Sequence, residues 1–213
     1  MIIKSTAEGL GDCISSTPAL RKISKIFNTK IEIYSYYPDI FKTLPYIKYS
    51  HLLTEENFNK SNLDIYSHKT KGLSVEFPAM SLHHNLIDLR QYPALHLGFQ
   101  LLPDEMVCDY IPNESNNLYQ YALPIDYVVL HAPQGNWKIK NWNIDKWQSL
   151  CNNIKLPVIQ IGNESKYSSP SVLNNVIDLK NISLDQTWYL CNKAKYVITT
   201  DSGILHLAGT TDT

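Results

Sequence analysis

The sequence contains little glycine, no surplus of charge and no long apolar run. Only 8 of its 213 residues are glycine, and the GxGxxG fingerprint of dinucleotide-binding proteins is absent. The 19 basic and 20 acidic residues give a net charge of -1, whereas nucleic-acid-binding domains usually carry a basic surplus. No apolar stretch approaches the length that a membrane-spanning helix needs. We therefore expect neither a nucleic-acid partner nor a membrane-spanning segment.

Cysteine is also scarce, and the 4 cysteines lie too far apart to form a CxxC pair. This spacing is not that of a zinc site or a disulfide framework, and it favours a reducing compartment. The apolar run at the N-terminus is too short for a signal peptide. We expect a cytoplasmic protein without a metal site or cofactor. Peripheral contact with the inner face of the membrane is compatible with this composition, since it needs only a modest surface patch.

Apolar periodicity predicts a βαβ unit at the start of the chain. A short strand at Ile2 and Ile3 precedes a glycine-containing loop, a helix with an apolar face from Ile14 to Ile26, and a strand over 30–34. The middle of the chain is less regular. Strand patterns occur over 46–53, 63–67 and 105–111. One helical pattern, interrupted at Pro93, occurs over 83–101.

A second series of strands and helices follows the polar, aperiodic segment 113–117. Its strands are predicted over 127–131, 157–162 and 176–179, and its helices begin after Asn143 and Ser183, which suit an N-cap. The pattern predicts an α/β protein of two domains with a cleft between them. The predicted boundaries are an N-terminal domain over 1–112, a linker over 113–125 and a C-terminal domain over 126–213.

The segment 196–208 is predicted to form a strand, a tight polar turn and a helix. The first N–H groups of a helix lack partners within it and carry a partial positive charge, so a phosphate can bind there. Asp201, Ser202 and His206 lie around that position. The alternative is an ordinary crossover in which the Asp or Ser only caps the helix.

The segment 9–12 is predicted to be a loop that contains two glycines and ends at Asp12. Glycine lets the backbone approach a ligand closely, and Asp12 follows the carboxyl end of the first strand, where ligands bind in open α/β sheets. The alternative is a carboxylate that only caps the next helix. His83, His84 and His96 lack the spacing of a metal site, and we expect no chemistry from them.

Four segments, in order, carry a family resemblance. The run 11–21 reads GDCISSTPALR, and His131-Ala132-Pro133 is followed by Lys140-Asn141-Trp142; later, 181–184 reads NISL and 201–208 reads DSGILHLA. Together they resemble the signatures of glycosyltransferase family 9, the ADP-heptose:lipopolysaccharide heptosyltransferase family. The last segment, which resembles the D-[ST]-G-x-x-H-L signature of that family, is the most specific.

The resemblance implies a GT-B fold of two Rossmann-like domains facing a cleft, with a nucleotide-sugar donor on the second and a glycan or glycolipid acceptor on the first. It implies inverting transfer, typically of heptose from ADP-heptose to the lipopolysaccharide core. Because the family continues with another strand and further helices beyond the last signature, we expect the second domain to be incomplete in this sequence. The protein is expected to act as a monomer.

Site residues follow from the same resemblance. Asp12 resembles the catalytic base, and Lys140 resembles the lysine that contacts the donor phosphates. The remaining donor-side positions are Gln134, Glu164, Ile182, Asp201, Ser202, Gly203 and His206. The acceptor-side loop corresponds to Gly9, Gly11, Thr17 and Arg21.

Three of these donor-side residues are assigned for specific reasons. Gln134, with Gly135 or Asn136, is assigned because Ala132 and Pro133 replace the small hydroxyl residues that often bind phosphate in the family. Glu164 and Ile182 resemble residues that flank the nucleoside.

Elementary chemistry supports these roles. Single displacement with inversion needs a base for the acceptor hydroxyl and positive charge for the departing diphosphate. A carboxylate on a glycine loop suits the first task and a lysine the second, with Lys138 as the alternative to Lys140. The sequence has no DxD pair, so the predicted transfer is independent of metal. Two other functions stay open, a nucleotide-sugar-binding remnant and another enzyme on the same fold, such as a sugar-nucleotide epimerase.

Overall fold

A parallel β-sheet organises each half of the chain. The computed structural model describes residues 1–7, 9–58, 63–64, 88–113, 118, 120–135, 138–164 and 168–213. The chain divides into two compact units, Met1–Ile111 and Pro112–Thr213. Each unit has its own sheet of four parallel strands in the described part of the chain, so the predicted α/β class is confirmed.

The sheet of the first unit consists of β1 (Ile2–Ser5), β2 (Ile31–Ser35), β3 (Ile47–Leu52) and β4 (Leu63–Asp64). Its spatial order is β3-β2-β1-β4, and every neighbouring pair is parallel. Ile3 lies opposite Ile33 in the central pair, and both side chains are fully buried. The predicted strands at 2–3, 30–34 and 46–53 are confirmed. The pattern at 63–67 is described only at its first two residues, which form β4.

Two helices replace the single helix that the sequence predicts after β1. They are α1 (Leu10–Ser15) and α2 (Thr17–Ile26), with Pro18 in the first turn of α2. The predicted loop over 9–12 is therefore wrong beyond Gly9, because this residue is extended and begins the helix. The apolar periodicity marked only the buried face and missed the polar first turn of α1. Ile26, the last residue of the predicted apolar face, lies 54% exposed at the end of α2.

The predicted strand over 105–111 does not form. A 3-10 turn occupies Pro103–Glu105, and residues 106–111 are irregular. Their backbone bonds with side chains from elsewhere: Arg21 donates to the carbonyl of Val107, and Thr43 donates to the carbonyl of Ile111. The helical pattern at 83–101 is described only from residue 88, where α3 spans Gln91–His96 with Pro93 near its start. His83 and His84 lie outside the described residues.

The second unit contains six described strands: β5 (Val128–His131), β6 (Pro133–Gly135), β7 (Val158–Ile161), β8 (Ser168–Pro170), β9 (Ile177–Asp178) and β10 (Tyr196–Thr199). Four of them form a sheet in the order β10-β5-β7-β9, again with parallel neighbours. A separate antiparallel pair joins β6 to β8. The helices are α4 (Ile144–Asn153), α5 (Leu184–Lys193) and α6 (Gly203–Ala208).

Capping residues begin α4 and α5 as the sequence predicts. The Asn143 side chain accepts a hydrogen bond from the backbone N–H of Asp145 at 2.7 Å. Ser183 and Gln186 form a reciprocal capping box at the start of α5. Val129, Ile159, Ile161 and Leu190 are each fully buried in the core between the sheet and the helices. Among the described residues, no helix has both the length and the apolar character needed to cross a bilayer.

Candidate functional site

A cluster of polar side chains lies at the carboxyl ends of two neighbouring strands, β5 and β10. Register places Thr199 directly beside His131. His131 Nδ1 lies 3.0 Å from Thr199 Oγ1 and 3.3 Å from Ser202 Oγ, and the two hydroxyl oxygens are 3.1 Å apart. The carboxyl edge of a parallel sheet is where α/β proteins bind ligands. The three side chains therefore form a hydrogen-bonded triangle at the position where a ligand of this unit is expected.

The edge of the His131 ring lies in the space that Gly162, which follows β7, leaves open. A Cβ on Gly162 would lie 3.3 Å from His131 Cδ2 and 3.2 Å from the Cβ of Pro170. Gly162 also has φ of 139°, a conformation that side chains with a Cβ rarely adopt. Burial lowers the pKa of His131 to about 4. The ring is consequently uncharged near neutral pH.

An ion pair joins two predicted donor-side residues from distant parts of the sequence. Lys140 Nζ lies 2.7 Å from Asp201 Oδ2, with the two side chains 38% and 61% exposed. Lys140 ends a 3-10 turn, Lys138–Lys140, and Asp201 immediately precedes Ser202. The structure thus brings Lys140 to the turn after β10, next to the triangle of His131, Thr199 and Ser202. This contact favours Lys140 over Lys138 for the predicted role.

The segment that carries Lys140 is closed by its own hydrogen bonds. The Asn141 side chain accepts from the Gly135 N–H at 2.8 Å and donates to the Gly135 carbonyl at 2.7 Å. Gln134 donates through Nε2 to the Trp142 carbonyl at 3.0 Å and lies 3.2 Å from Ser171 Oγ. The amide of Gln134, predicted to contact phosphate, is therefore engaged within its own unit. Asn136, the other candidate for that contact, lies outside the described residues.

The predicted turn and helix at 200–208 do form, but α6 has only 6 residues. Ser202 is its N-cap residue, yet its side chain accepts no hydrogen bond from the helix backbone. Its hydroxyl instead belongs to the triangle described above, so a capping role does not account for Ser202. Gly203 begins α6, and His206 lies half-buried in its last turn.

The short helix α6 is anchored to the core on its inner face. Leu207 is fully buried, and Ile204 and Ala208 pack against the core that contains Val129. Just beyond the helix, Trp188 Nε1 of α5 donates to Thr210 Oγ1 at 3.0 Å. These contacts fix the helix and, with it, the turn that carries Asp201 and Ser202.

The other two donor-side predictions lie near one another beyond β7. Glu164 is exposed, whereas the Ile182 side chain is only 7% exposed and belongs to the core. Asn163 Nδ2 donates to the Ile182 carbonyl at 3.4 Å, and the Asn181 N–H donates to the Gly162 carbonyl at 3.0 Å. The backbone at 181–182, rather than the Ile182 side chain, is the part that faces residues 162–164.

In the first unit, Asp12 is the third residue of α1 and is positioned by Gly9. A Cβ on Gly9 would lie 2.6 Å from Asp12 Oδ2, closer than real side chains approach. The carboxylate therefore folds back over the start of its own helix, in the space that the absent side chain leaves open. Gly11 and Cys13, its neighbours in the helix, are both buried.

Burial raises the pKa of the Cys13 thiol to about 12. The thiol is therefore inert near neutral pH. Asp12, half-exposed on the same helix, is the group in this turn that a ligand can reach.

Thr17 and Arg21, predicted as acceptor-side residues, hold the segment 105–109 against α2. Arg21 Nη1 donates to Asp109 Oδ2 at 2.5 Å, and Nη2 donates to the carbonyls of Glu105 and Val107 at 2.8 and 2.9 Å. Thr17 Oγ1 accepts from the Asp109 N–H at 2.8 Å. The Tyr46 hydroxyl donates a second hydrogen bond to the Asp109 carboxylate, at 2.7 Å. These contacts fasten the segment 105–109 to α2. No sequence pattern links Asp109 or Tyr46 to Arg21.

The structure brings the predicted residues together in two groups. In the second unit Lys140, Asp201 and Ser202 meet at the sheet edge, joined by His131 and Thr199. In the sequence, His131 stands out only as part of a family signature, and Thr199 is not singled out. In the first unit Gly9 and Asp12 share one turn. Among the residues that the structure describes, no three His, Cys, Asp or Glu side chains are placed to hold a metal ion.

Comparison with sequences finds no relative. No family model matches the chain, and no curated protein matches it.

Solved structures, in contrast, share the fold. The chain matches the iron-containing dodecameric glycosyltransferase TibC from enterotoxigenic E. coli H10407 with a TM-score of 0.67 and 16% identity, over 99% of this chain and 55% of TibC. It matches E. coli heptosyltransferase WaaC with ADP at 0.58 and 14%, over 99% of this chain and 84% of WaaC. A glycosyltransferase family 9 structure from Veillonella parvula DSM 2008 gives 0.63 and 11%, over 98% and 78%.

These likenesses show a fold shared with heptosyltransferases. The chain spans about half the length of TibC. TibC is iron-containing.

Proposed function

We propose that this chain is a glycosyltransferase of the GT-B class that moves a sugar, with heptose from ADP-heptose as the leading donor, to a glycan acceptor. The observation that carries the proposal is the Lys140–Asp201 ion pair at 2.7 Å. It joins the two segments that resemble donor-binding signatures, at the carboxyl edge of a parallel sheet. The fold shared with heptosyltransferases, one of which was solved with ADP, supports the same reading.

The proposed reaction is a single displacement with inversion. Asp12 accepts the proton of the acceptor hydroxyl as its oxygen forms a bond to the anomeric carbon. The bond from that carbon to the diphosphate oxygen breaks at the same time, and the electron pair leaves with the nucleoside diphosphate. A positioned general base contributes about 10²–10⁴-fold to such a step. Gly9 supports this role because it leaves room for the carboxylate to be held in one place.

Lys140 provides the charge that the leaving group requires. Negative charge grows on the diphosphate as the glycosidic bond breaks, and an ammonium group held nearby stabilises that charge. Asp201 holds the ammonium in the free protein, and the donor phosphates replace this carboxylate as the partner of Lys140. Ser202 and the backbone of the turn supply further hydrogen-bond donors to the phosphate oxygens.

Donor binding is tested by thermal unfolding with a panel of nucleotide sugars. A ligand that binds only the folded state stabilises it by about 2.7 kcal/mol at 100 times its dissociation constant. We expect ADP-heptose to raise the melting temperature and Lys140→Met to reduce that shift. The proposal fails if no nucleotide sugar in the panel raises the melting temperature of the wild-type chain.

The same panel with a chelator tests the proposed independence from metal. If Lys140 supplies the positive charge at the diphosphate, excess EDTA leaves both the donor-induced shift and the transfer rate unchanged. Loss of transfer in EDTA and its recovery with a divalent cation would assign this task to a metal instead.

A further inference from the structure

The protons of the triangle formed by His131, Thr199 and Ser202 can be assigned from its hydrogen bonds. Thr199 Oγ1 donates to the Thr200 carbonyl at 3.0 Å. A hydroxyl has one proton and two lone pairs, so toward its other two neighbours Thr199 can only accept. The 3.0 Å contact between His131 Nδ1 and Thr199 Oγ1 is therefore a hydrogen bond only if His131 carries its proton on Nδ1.

The opposite tautomer of His131 conflicts with these contacts. With the proton on Nε2, the Nδ1 lone pair would face the lone pairs of Thr199 at 3.0 Å. It would also accept the proton of Ser202, whose oxygen lies 3.3 Å away. If Ser202 then turned its proton to a phosphate oxygen, the Nδ1 lone pair would face the lone pairs of both hydroxyl oxygens. The Nδ1–H form satisfies all three contacts, because Ser202 donates to Thr199 and the N–H group still bonds to both oxygens after the Ser202 proton turns to the ligand.

We propose that His131 is a positioning residue for the phosphate site: its Nδ1–H group donates to Thr199 and Ser202, so that the Ser202 proton, which faces Thr199 in the free protein, can turn to a phosphate oxygen of the ligand. This inference rests on the proposed function, because it assigns a device to the same site. His131 does not contact the ligand in this account. It acts through the hydroxyl of Ser202, and Gly162 leaves room for the ring in this orientation.

The geometry around the ring supports a fixed role. His131 is the last residue of β5, a central strand of its sheet, and neighbours Thr199 of β10 on one side and Ile161 of β7 on the other. The space that Gly162 leaves open is filled by the ring edge, 3.3 Å from the position of a Cβ. The ring therefore occupies space that a side chain at position 162 would take.

The test is a double-mutant cycle between His131 and Ser202, read as the dissociation constant for ADP by calorimetry. We expect Ser202→Ala and His131→Leu each to weaken ADP binding about 10- to 100-fold, the usual effect of losing one hydrogen bond to a charged group. In the Ser202→Ala background, His131→Leu should cost no further affinity, because His131 acts only through that hydroxyl. Additive losses would overturn the inference.

A conservative variant separates positioning from packing. Asn at this position places an amide N–H group near the location of Nδ1, so His131→Asn is expected to keep ADP affinity within about 3-fold of wild type. His131→Leu keeps the bulk but has no donor. Melting temperatures measured in parallel identify variants that simply unfold. Equal affinities of the Leu and Asn variants would contradict the proposal, since a proton donor would then be unnecessary.

The outcomes also separate this inference from the proposed function. If wild type binds ADP and Ser202→Ala weakens binding while His131→Leu does not, only the role of His131 is wrong. If wild-type protein binds neither ADP nor ADP-heptose, the proposed function is wrong and the inference is overturned with it.

Discussion

Lys140 Nζ lies 2.7 Å from Asp201 Oδ2, so the donor-side signatures meet in an ion pair. The pair is largely exposed, and exposed ion pairs contribute only about 0–1 kcal/mol to stability. Its consequence is therefore positional. The carboxylate holds a flexible ammonium group beside the turn where a diphosphate is expected to bind.

Removing the Lys140 charge is predicted to impair transfer much more than folding. We expect Lys140→Met to lower kcat/KM on the order of 10²-fold, because one stabilising group of the leaving diphosphate is lost. Asp201→Asn should cost less, at most about 10-fold, because the lysine keeps its charge and the donor phosphates replace this carboxylate as its partner. Steady-state kinetics and chemical denaturation are measured on each variant, and both variants should unfold within about 1 kcal/mol of wild type.

A matched control for this pair exists in the same unit. Lys195 Nζ lies 3.2 Å from Asp126 Oδ1, and both side chains are more than half exposed. Lys195→Met removes an equivalent charge away from the turn and should leave kcat/KM unchanged. A loss as large as that of Lys140→Met would mean that the effect reflects net charge and not the site.

Gly9→Ala is predicted to displace the Asp12 carboxylate. The new Cβ would lie 2.6 Å from Asp12 Oδ2, and the flexible carboxylate will move rather than the backbone. A misplacement of about 1 Å can cost 10²-fold in rate, so we expect kcat to fall on that order. Stability should change by less than about 1 kcal/mol. Gly209→Ala is the control, because its nearest atoms would be 3.5 Å away; unchanged kcat in Gly9→Ala contradicts the account.

The Arg21–Asp109 contact is predicted to act in folding and not in chemistry. Arg21→Ala removes hydrogen bonds to one carboxylate and two carbonyls. We expect the free energy of unfolding to fall by about 2 kcal/mol, as for other bonds to charged groups. A cycle with Asp109→Asn should reveal coupling of about 1 kcal/mol. Strictly additive effects in urea denaturation would show that the two side chains do not interact.

Stability is predicted to depend on pH through His131. Its pKa is lowered to about 4 by burial, whereas a histidine in the unfolded chain titrates near 6.5. Between these values the unfolded state binds the extra proton, so the free energy of unfolding falls as pH decreases from about 6.5 to 4, by at most about 3 kcal/mol. His131→Asn should flatten that slope. His96→Asn, which removes an exposed histidine, is the control. An unchanged slope in His131→Asn would rule out His131 as the source of the pH dependence.

Much of the fold was accessible from the sequence. Periodicity located β1, β2, β5 and β10 because buried strands are short runs of β-branched residues, and Asn143 and Ser183 mark helix starts by their capping chemistry. The start of α1 was missed because a helix that begins Leu-Gly-Asp has no apolar repeat in its first turn. The strand expected at 105–111 failed because side chains of α2, distant in sequence, satisfy its backbone.

The candidate site was only partly accessible. Asp12, Asp201 and Ser202 stand out as polar residues at the ends of strands or in glycine turns, whereas Lys140 is assigned only by the family resemblance. His131 and Thr199 also lie at strand ends. Their contact, however, depends on the register in which β10 pairs with β5, and the sequence does not show that pairing. The role of Arg21 depends on its contact with Asp109, and no local sequence pattern indicates a contact between residues so far apart in the chain.

The most direct measurement of the central claim is transfer from ADP-heptose to a panel of glycan acceptors by wild type and Asp12→Asn, followed by mass spectrometry. The account predicts a glycosylated product with wild type, and a kcat lowered at least 10²-fold in Asp12→Asn. ADP affinity by calorimetry should stay within about 3-fold, because Asp12 serves the acceptor. Equal turnover by the two proteins, or ADP binding by wild type without transfer to any acceptor, would contradict it.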